Sequence, residues 1–110
     1  SLSKMYGTFT GSFSSTSPFK NQKVQIKVEK IKNTDKYSKD EYVYSVKFKM
    51  GLILDDETEG YTGTNVSISD NYLSFECGGY SIAITLSNNE YKLTIESDSG
   101  KSDSTILTRE

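Results

Sequence analysis

Histidine and tryptophan are absent from this 110-residue chain, and cysteine and proline occur once each. Without histidine, Ser-His-Asp and Cys-His nucleophile systems and imidazole metal sites are excluded. The single Cys77 excludes an intramolecular disulfide and a Cys-only zinc site. Because it alternates with Phe75, we predict a buried, unreactive thiol. We therefore expect no enzymatic activity, no metal and no cofactor.

Long apolar runs are also missing, and no window approaches the roughly 20 apolar residues of a membrane helix. The densest group of carboxylates is Asp55, Asp56, Glu57 and Glu59. EF-hand calcium sites need ligands at alternate positions and a closing glutamate, and this spacing does not provide them. We predict a solvated turn there rather than a cation site.

Charge is distributed unevenly along the chain. Residues 1–50 carry ten lysines against four acidic residues, whereas residues 51–110 carry three basic residues against eleven acidic ones. The first part should therefore form a basic surface and the second an acidic one. Because the chain is net acidic and arginine occurs only once, we do not expect nucleic acid as a partner.

Alternation of apolar and polar residues is the main structural signal. It is clearest in the stretch 42–50, which extends to residue 54 and has Tyr42, Tyr44, Val46, Phe48 and Met50 on one parity. This period of two is that of a strand with one buried face. Similar stretches predict further strands at residues 5–13, 23–32, 58–69, 72–77, 80–86, 91–95 and 102–108.

Two of these segments leave alternatives open. Residues 58–69 form either one strand bent at Gly60 and Gly63 or two short strands. In residues 23–32, Ile31 is out of phase with the preceding apolar residues. Either a bulge shifts the parity there, or the strand ends near Lys30.

The short links predict an all-β single domain over residues 1–110, built as an antiparallel up-and-down meander of about eight strands. Closure into a barrel removes exposed strand edges and is the predicted arrangement, with a β-sandwich as the alternative. Inward Tyr and Phe side chains, including Tyr91, favour a filled interior.

The segment from Gly7 to Gly11, with Phe9 at its centre, resembles the first strand of the calycins, the lipocalin-like and avidin-like small barrels. The long first loop and the tight hairpins that follow are also similar. The resemblance implies a closed calycin-like barrel. It also implies that a basic residue of the last strand, here Arg109, packs on the first-strand aromatic position, where Phe9 replaces the usual tryptophan.

Two surfaces are candidate binding sites. The first is the barrel mouth, where alternate loops of a meander meet, and its ligand-binding residues are predicted to be Phe13, Phe19, Tyr42, Tyr44, Phe75 and Tyr80. The second is a basic patch on the outward faces of two neighbouring strands, predicted to comprise Lys23, Lys27, Lys47 and Lys49.

Two functions of different classes stay open. One is a non-enzymatic binding domain that holds a small apolar or amphipathic ligand at the mouth. The other is a structural or protein-interaction domain of an exported or surface protein, which binds an acidic protein or polymer with the basic patch. An extracytoplasmic location, secreted or surface-anchored, is expected.

Overall fold

A computed structural model describes residues 2–110 and shows a nearly closed, all-antiparallel barrel. A single turn of 3₁₀ helix at Leu2–Met5 precedes the sheet. The strands are β1 (Gly7–Ser12), β2 (Lys23–Lys32), β3 (Tyr42–Gly51), β4 (Tyr61–Thr62), β5 (Thr64–Ile68), β6 (Tyr72–Cys77), β7 (Tyr80–Ser87), β8 (Glu90–Ser97) and β9 (Ser102–Arg109). Their order in the sheet is β4-β3-β2-β1-β9-β8-β7-β6-β5. The predicted all-β meander is confirmed.

The barrel closes at two places. The first and last strands pair, with Phe9 opposite Arg109. On the other side, β4 pairs with β3 and β5 pairs with β6, so the chain crosses between the two at Gly63. A Cβ at Gly63 would lie 2.8 Å from the Phe75 ring and 3.3 Å from Val46 Cβ, which explains why a glycine stands there. The segment is therefore two short strands, and the count is nine rather than eight.

The interior is filled by one continuous cluster of buried side chains. Alternation along the strands predicts most of it. The cluster comprises Met5, Phe9, Phe13, Phe19, Val24, Ile26, Val28, Val46, Phe48, Leu73, Phe75, Cys77, Ile82, Ile84, Leu93, Ile95 and Leu107. Cys77 is buried as predicted, and burial raises the pKa of its thiol.

Strands β2 and β3 extend beyond the barrel as a two-stranded arm. Their pairing runs without interruption from Lys23 opposite Gly51 to Lys32 opposite Tyr42. However, β1 covers β2 only as far as Val28. Residues 29–32 and 42–45, together called the arm, therefore extend past the neighbouring strands, in a molecule that measures 47 × 30 × 28 Å.

The arm corrects two predictions. Strand β2 neither bulges nor ends near Lys30, and Ile31 instead lies on the outer face opposite Val43, with 42% of its surface exposed. Tyr42 does not point into the barrel but is 47% exposed. Both predictions were wrong because no strand covers the arm on either side, so Tyr42 keeps the inward parity without being buried and Ile31 is apolar on the outer face.

Candidate functional site

The predicted mouth residues largely come together at one end of the barrel. The rings of Phe13 and Phe19 have centroids 5.2 Å apart, and those of Phe19 and Tyr80 lie 6.2 Å apart. Phe48 links Tyr80, at 6.3 Å, to Phe75, at 6.1 Å. These five residues, called the upper aromatic cluster, are buried except for the half-buried Tyr80.

Residues 13–22 fold over this mouth. The N–H of Phe13 donates to the carbonyl of Gln22 at 2.8 Å, and the N–H of Gln22 donates to the carbonyl of Phe19 at 2.9 Å. The buried Ser17 hydroxyl accepts the N–H of Phe19 at 3.0 Å and donates to the Asp103 carboxylate of β9. This loop therefore places the Phe19 side chain inside the mouth.

The Asp103 carboxylate makes this closure sensitive to acid. Hydrogen bonds from the Ser17 hydroxyl and from the N–H of Ser104 hold the pKa of Asp103 below the usual value for an aspartate. Because the folded-state pKa is the lower one, the carboxylate contributes stability that is complete above the unfolded-state pKa. That contribution is lost as the pH falls through the folded-state pKa.

Asp103→Asn is therefore expected to flatten the acid limb of the stability curve, because the asparagine has no carboxylate to protonate. The measurement is the free energy of unfolding in urea at a series of acidic pH values. Asp70→Asn, in an exposed loop, is the matched control. Superimposable acid limbs for wild type and Asp103→Asn would contradict the role of Asp103.

Two predicted ligand residues lie away from the mouth. Tyr44 is at the opposite end, where its ring stacks on Tyr6 at 5.8 Å with an interplanar angle of 27°. The hydrogen bond between the two phenols, 3.4 Å long, raises the pKa of Tyr6. Tyr42 lies farther out on the arm, with Lys30 Nζ 4.6 Å from its ring centroid. The structure therefore divides the predicted set between two ends of the molecule.

Arg109 holds the N-terminal turn by hydrogen bonds across the end of the barrel opposite the mouth. Its Nε donates to the carbonyl of Tyr6 at 2.8 Å, and its Nη2 donates to the carbonyl of Ser3 at 2.6 Å. Its Nη1 also donates to the hydroxyl of Tyr91 at 3.3 Å. The Tyr91 ring in turn packs edge-on against Phe9 at 4.9 Å. Tyr91 thus lies between the two residues that the calycin resemblance pairs, which the sequence did not indicate.

The predicted basic patch is assembled on one outer wall. Lys27 lies directly opposite Lys47, while Lys23 and Lys49 oppose uncharged residues of the same strand pair. Lys27 Nζ is 3.2 Å from Glu29 Oε1. Lys47 Nζ donates to the hydroxyl of Thr62 at 2.7 Å, and Lys49 Nζ donates to the carbonyl of Asp55 at 2.8 Å. Neither of those oxygens carries a full charge, although the nearby Asp55 carboxylate interacts electrostatically with Lys49.

In the carboxylate turn beside this wall, Asp55 accepts hydrogen bonds from groups of the turn itself. One oxygen of Asp55 accepts the N–H groups of Glu57 and Thr58 and the hydroxyl of Thr58, at 3.0, 3.0 and 3.1 Å. The bonds from Thr58 are the main reason why the pKa of Asp55 is lowered. Among residues 2–110, no three His, Cys, Asp or Glu side chains are placed to hold a metal ion.

An outer recess of about 550 Å³ was not predicted. It crosses the outward face of β6 to β9, where Ser74, Ala83, Thr94 and Ser104 lie in one cross-strand row. Glu76 and Glu96 line one side of that row. Alternation indicated that these residues face outward, but only the pairing register brings them together.

Comparisons of the chain with models of protein families, with curated proteins and with solved structures find no match. In the described part of the chain, no helix is long and apolar enough to cross a membrane. The fold defines the chain as a small antiparallel β-barrel with a filled interior, closed ends and a basic outer wall.

Proposed function

We propose that this barrel is a non-enzymatic binding domain that contacts an acidic protein or polymer with its exterior. The contact surface is the basic wall, which comprises Lys23, Lys27, Lys47 and Lys49. The observation that supports the exterior over the interior is the closed barrel. Phe19 at the mouth is 2% exposed and Met5 at the other end is fully buried, so a ligand would have to displace core side chains.

The charge on the wall supports the same proposal. Glu29 offsets Lys27 and the Asp55 carboxylate interacts with the charge of Lys49, whereas the side chain of Lys47 donates to the neutral hydroxyl of Thr62. The opposite face of the barrel carries Glu76 and Glu96. A partner with dense negative charge is therefore attracted to one side and repelled from the other, which orients its approach.

The test is binding of a fluorescent polyglutamate chain, measured by anisotropy at several salt concentrations. We expect binding that weakens as salt rises. Lys27→Glu with Lys47→Glu should weaken it roughly tenfold or more, since each exposed ion pair contributes up to about 1 kcal/mol. The matched control is Lys92→Glu with Lys101→Glu, which changes the net charge equally. Lys92 lies on β8 and Lys101 in the turn between β8 and β9, so neither belongs to β2 or β3.

The two double variants separate the outcomes. Retained binding in the control with loss in the wall variant supports the proposal. Equal losses would show that only net charge matters, and absence of binding at low salt would leave the wall without this function.

A second candidate is binding of a small apolar or amphipathic ligand at the mouth. It is supported by the upper aromatic cluster, and it requires residues 13–22 to open. Membership of the calycins is part of this same proposal, supported by the β1–β9 closure and by Arg109 fastening the N-terminal turn. An exported or surface protein is the setting that we propose for both candidates.

A further inference from the structure

The arm has a strand edge that no described strand covers. On its outer side, β3 pairs with β4 only at Lys47 and Phe48. The next contact along this edge is the N–H of Gly63, which donates to the carbonyl of Val46 at 2.8 Å. Residues 42–45 pair with β2 but have no partner strand on the other side in residues 2–110.

The direction of the free backbone groups follows from two hydrogen bonds. The carbonyl of Val46 points to the outer side, because it accepts from Gly63, whereas that of Glu41 points toward β2, because it accepts the N–H of Asn33. Alternate residues of an antiparallel strand point their N–H and C=O to opposite sides. Tyr42 and Tyr44 therefore present their backbone groups to the open edge.

The side chains of this edge leave it open to pairing. Residues 42–45 are Tyr-Val-Tyr-Ser, which are all uncharged, and the two tyrosines and the valine favour strands. The corresponding free edge of β2 contains Glu29, Lys30 and Lys32, and charged side chains of this kind blunt a strand edge. The arm is thus protected along β2 and unprotected along β3.

We propose that this edge pairs antiparallel with the same edge of a second copy of the chain, with Val43 opposite its own counterpart. Tyr42 of each copy then opposes Tyr44 of the other. Each of these two residue pairs exchanges two backbone hydrogen bonds. The N–H and C=O groups of both tyrosines that face the open edge are therefore all used. The inference does not rest on the proposed function.

The charges at the ends of the segment fit this register. Glu41 comes to lie opposite Ser45 of the other copy, and Lys47 is the diagonal neighbour of that glutamate on the same face. Diagonal neighbours lie within reach of long side chains, so two symmetric Glu41–Lys47 contacts form between the copies. The half-buried Val43 side chains of the two copies, with the exposed Ile31 beside each, pack at the two-fold axis.

Moving the two-fold axis from Val43 to Tyr44 is disfavoured. Placing Tyr44 opposite itself would pair Tyr42 with Val46 of the other copy. The carbonyl of Val46 already accepts from Gly63 at the barrel seam. That register would therefore break the hydrogen bond between Gly63 and Val46 in each copy.

Disulfide trapping tests the pairing and its register. Val43→Cys should oxidise to a covalent dimer, because residues at a non-hydrogen-bonded pair have Cα atoms about 4.5 Å apart, within the range of a disulfide. Ser45→Cys, on the same face, should not, since it opposes residue 41 of the other copy. The wild-type chain, whose Cys77 is buried, is the control for background oxidation.

Mass in solution tests the same interface without a covalent bond. In analytical ultracentrifugation, the wild type should shift from the mass of a monomer to that of a dimer as its concentration rises. Val43→Lys should remain a monomer, because the substitution places the two lysine charges directly opposite each other at the interface. Ser45→Lys should still dimerise, because it faces Glu41 of the other copy. A wild type that stays monomeric at millimolar concentration, or cross-linking of Ser45→Cys as fast as Val43→Cys, would overturn the proposal.

Discussion

Phe19→Ala is expected to lower the free energy of unfolding by about 3–5 kcal/mol, the range for removing a buried phenylalanine ring. The ring is 2% exposed and packs between Phe13 and Tyr80, so its removal leaves a cavity at the mouth. The hydrogen bonds that hold the loop come from the backbone and from Ser17, and so they survive the substitution. Urea unfolding followed by circular dichroism measures the loss.

Lys20→Ala is the matched control, because Lys20 neighbours Phe19 in the same loop and is exposed. Surface changes of this kind usually alter stability by less than about 0.5 kcal/mol. A loss for Phe19→Ala as small as that of Lys20→Ala would mean that the loop does not hold Phe19 in the core in solution. The mouth would then be open.

The same variant separates the two candidate functions. An uncharged apolar fluorescent probe such as Nile red, which the basic wall does not attract, should bind saturably to folded Phe19→Ala and not to the wild type. The cavity left by the ring is bordered by Phe13 and Tyr80 of the upper aromatic cluster. Equal binding to both proteins would show that the mouth opens readily, which favours the small-ligand candidate over the basic wall.

Strand positions and their faces are predictable from the sequence because a period of two is a local property. Where a strand leaves the sheet is not local. Tyr42 keeps the parity of Val46 and Phe48, yet it is exposed, because β1 and β4 end before reaching it. Ile31 conflicts with the alternation for the same reason, since on a free arm either face tolerates an apolar residue.

The candidate sites also differ in how far the sequence alone predicts them. The basic wall is predictable because sequence neighbours β2 and β3 pair in a hairpin, which places Lys27 beside Lys47. The sequence places Phe19 and Tyr80 at the same mouth, but it does not predict that their rings pack together, because a loop and a strand that pairing does not connect supply them. The free edge of β3 also needs the structure, since it depends on the two-residue length of β4.

Gly60→Ala should destabilise the chain more than the same change at Gly100, by about 1–3 kcal/mol, the usual penalty for overpacking. The two glycines have nearly the same backbone angle, φ +93° and +92°. A Cβ at Gly60 would lie 2.5 Å from the carbonyl oxygen of Phe48, whereas nothing lies within 4 Å of one at Gly100. Gly100→Ala thus measures only the backbone strain, about 1–3 kcal/mol.

Parallel urea titrations of both variants give the difference directly. The carbonyl of Phe48 belongs to β3, which is held between β2 and β4, so the clash at Gly60 cannot be relieved by moving that strand alone. Equal losses at the two positions would mean that residues 52–60 shift away from β3 at little cost. In that case β4 would be only loosely held, and the open edge of β3 would extend past Val46 to Lys47 and Phe48.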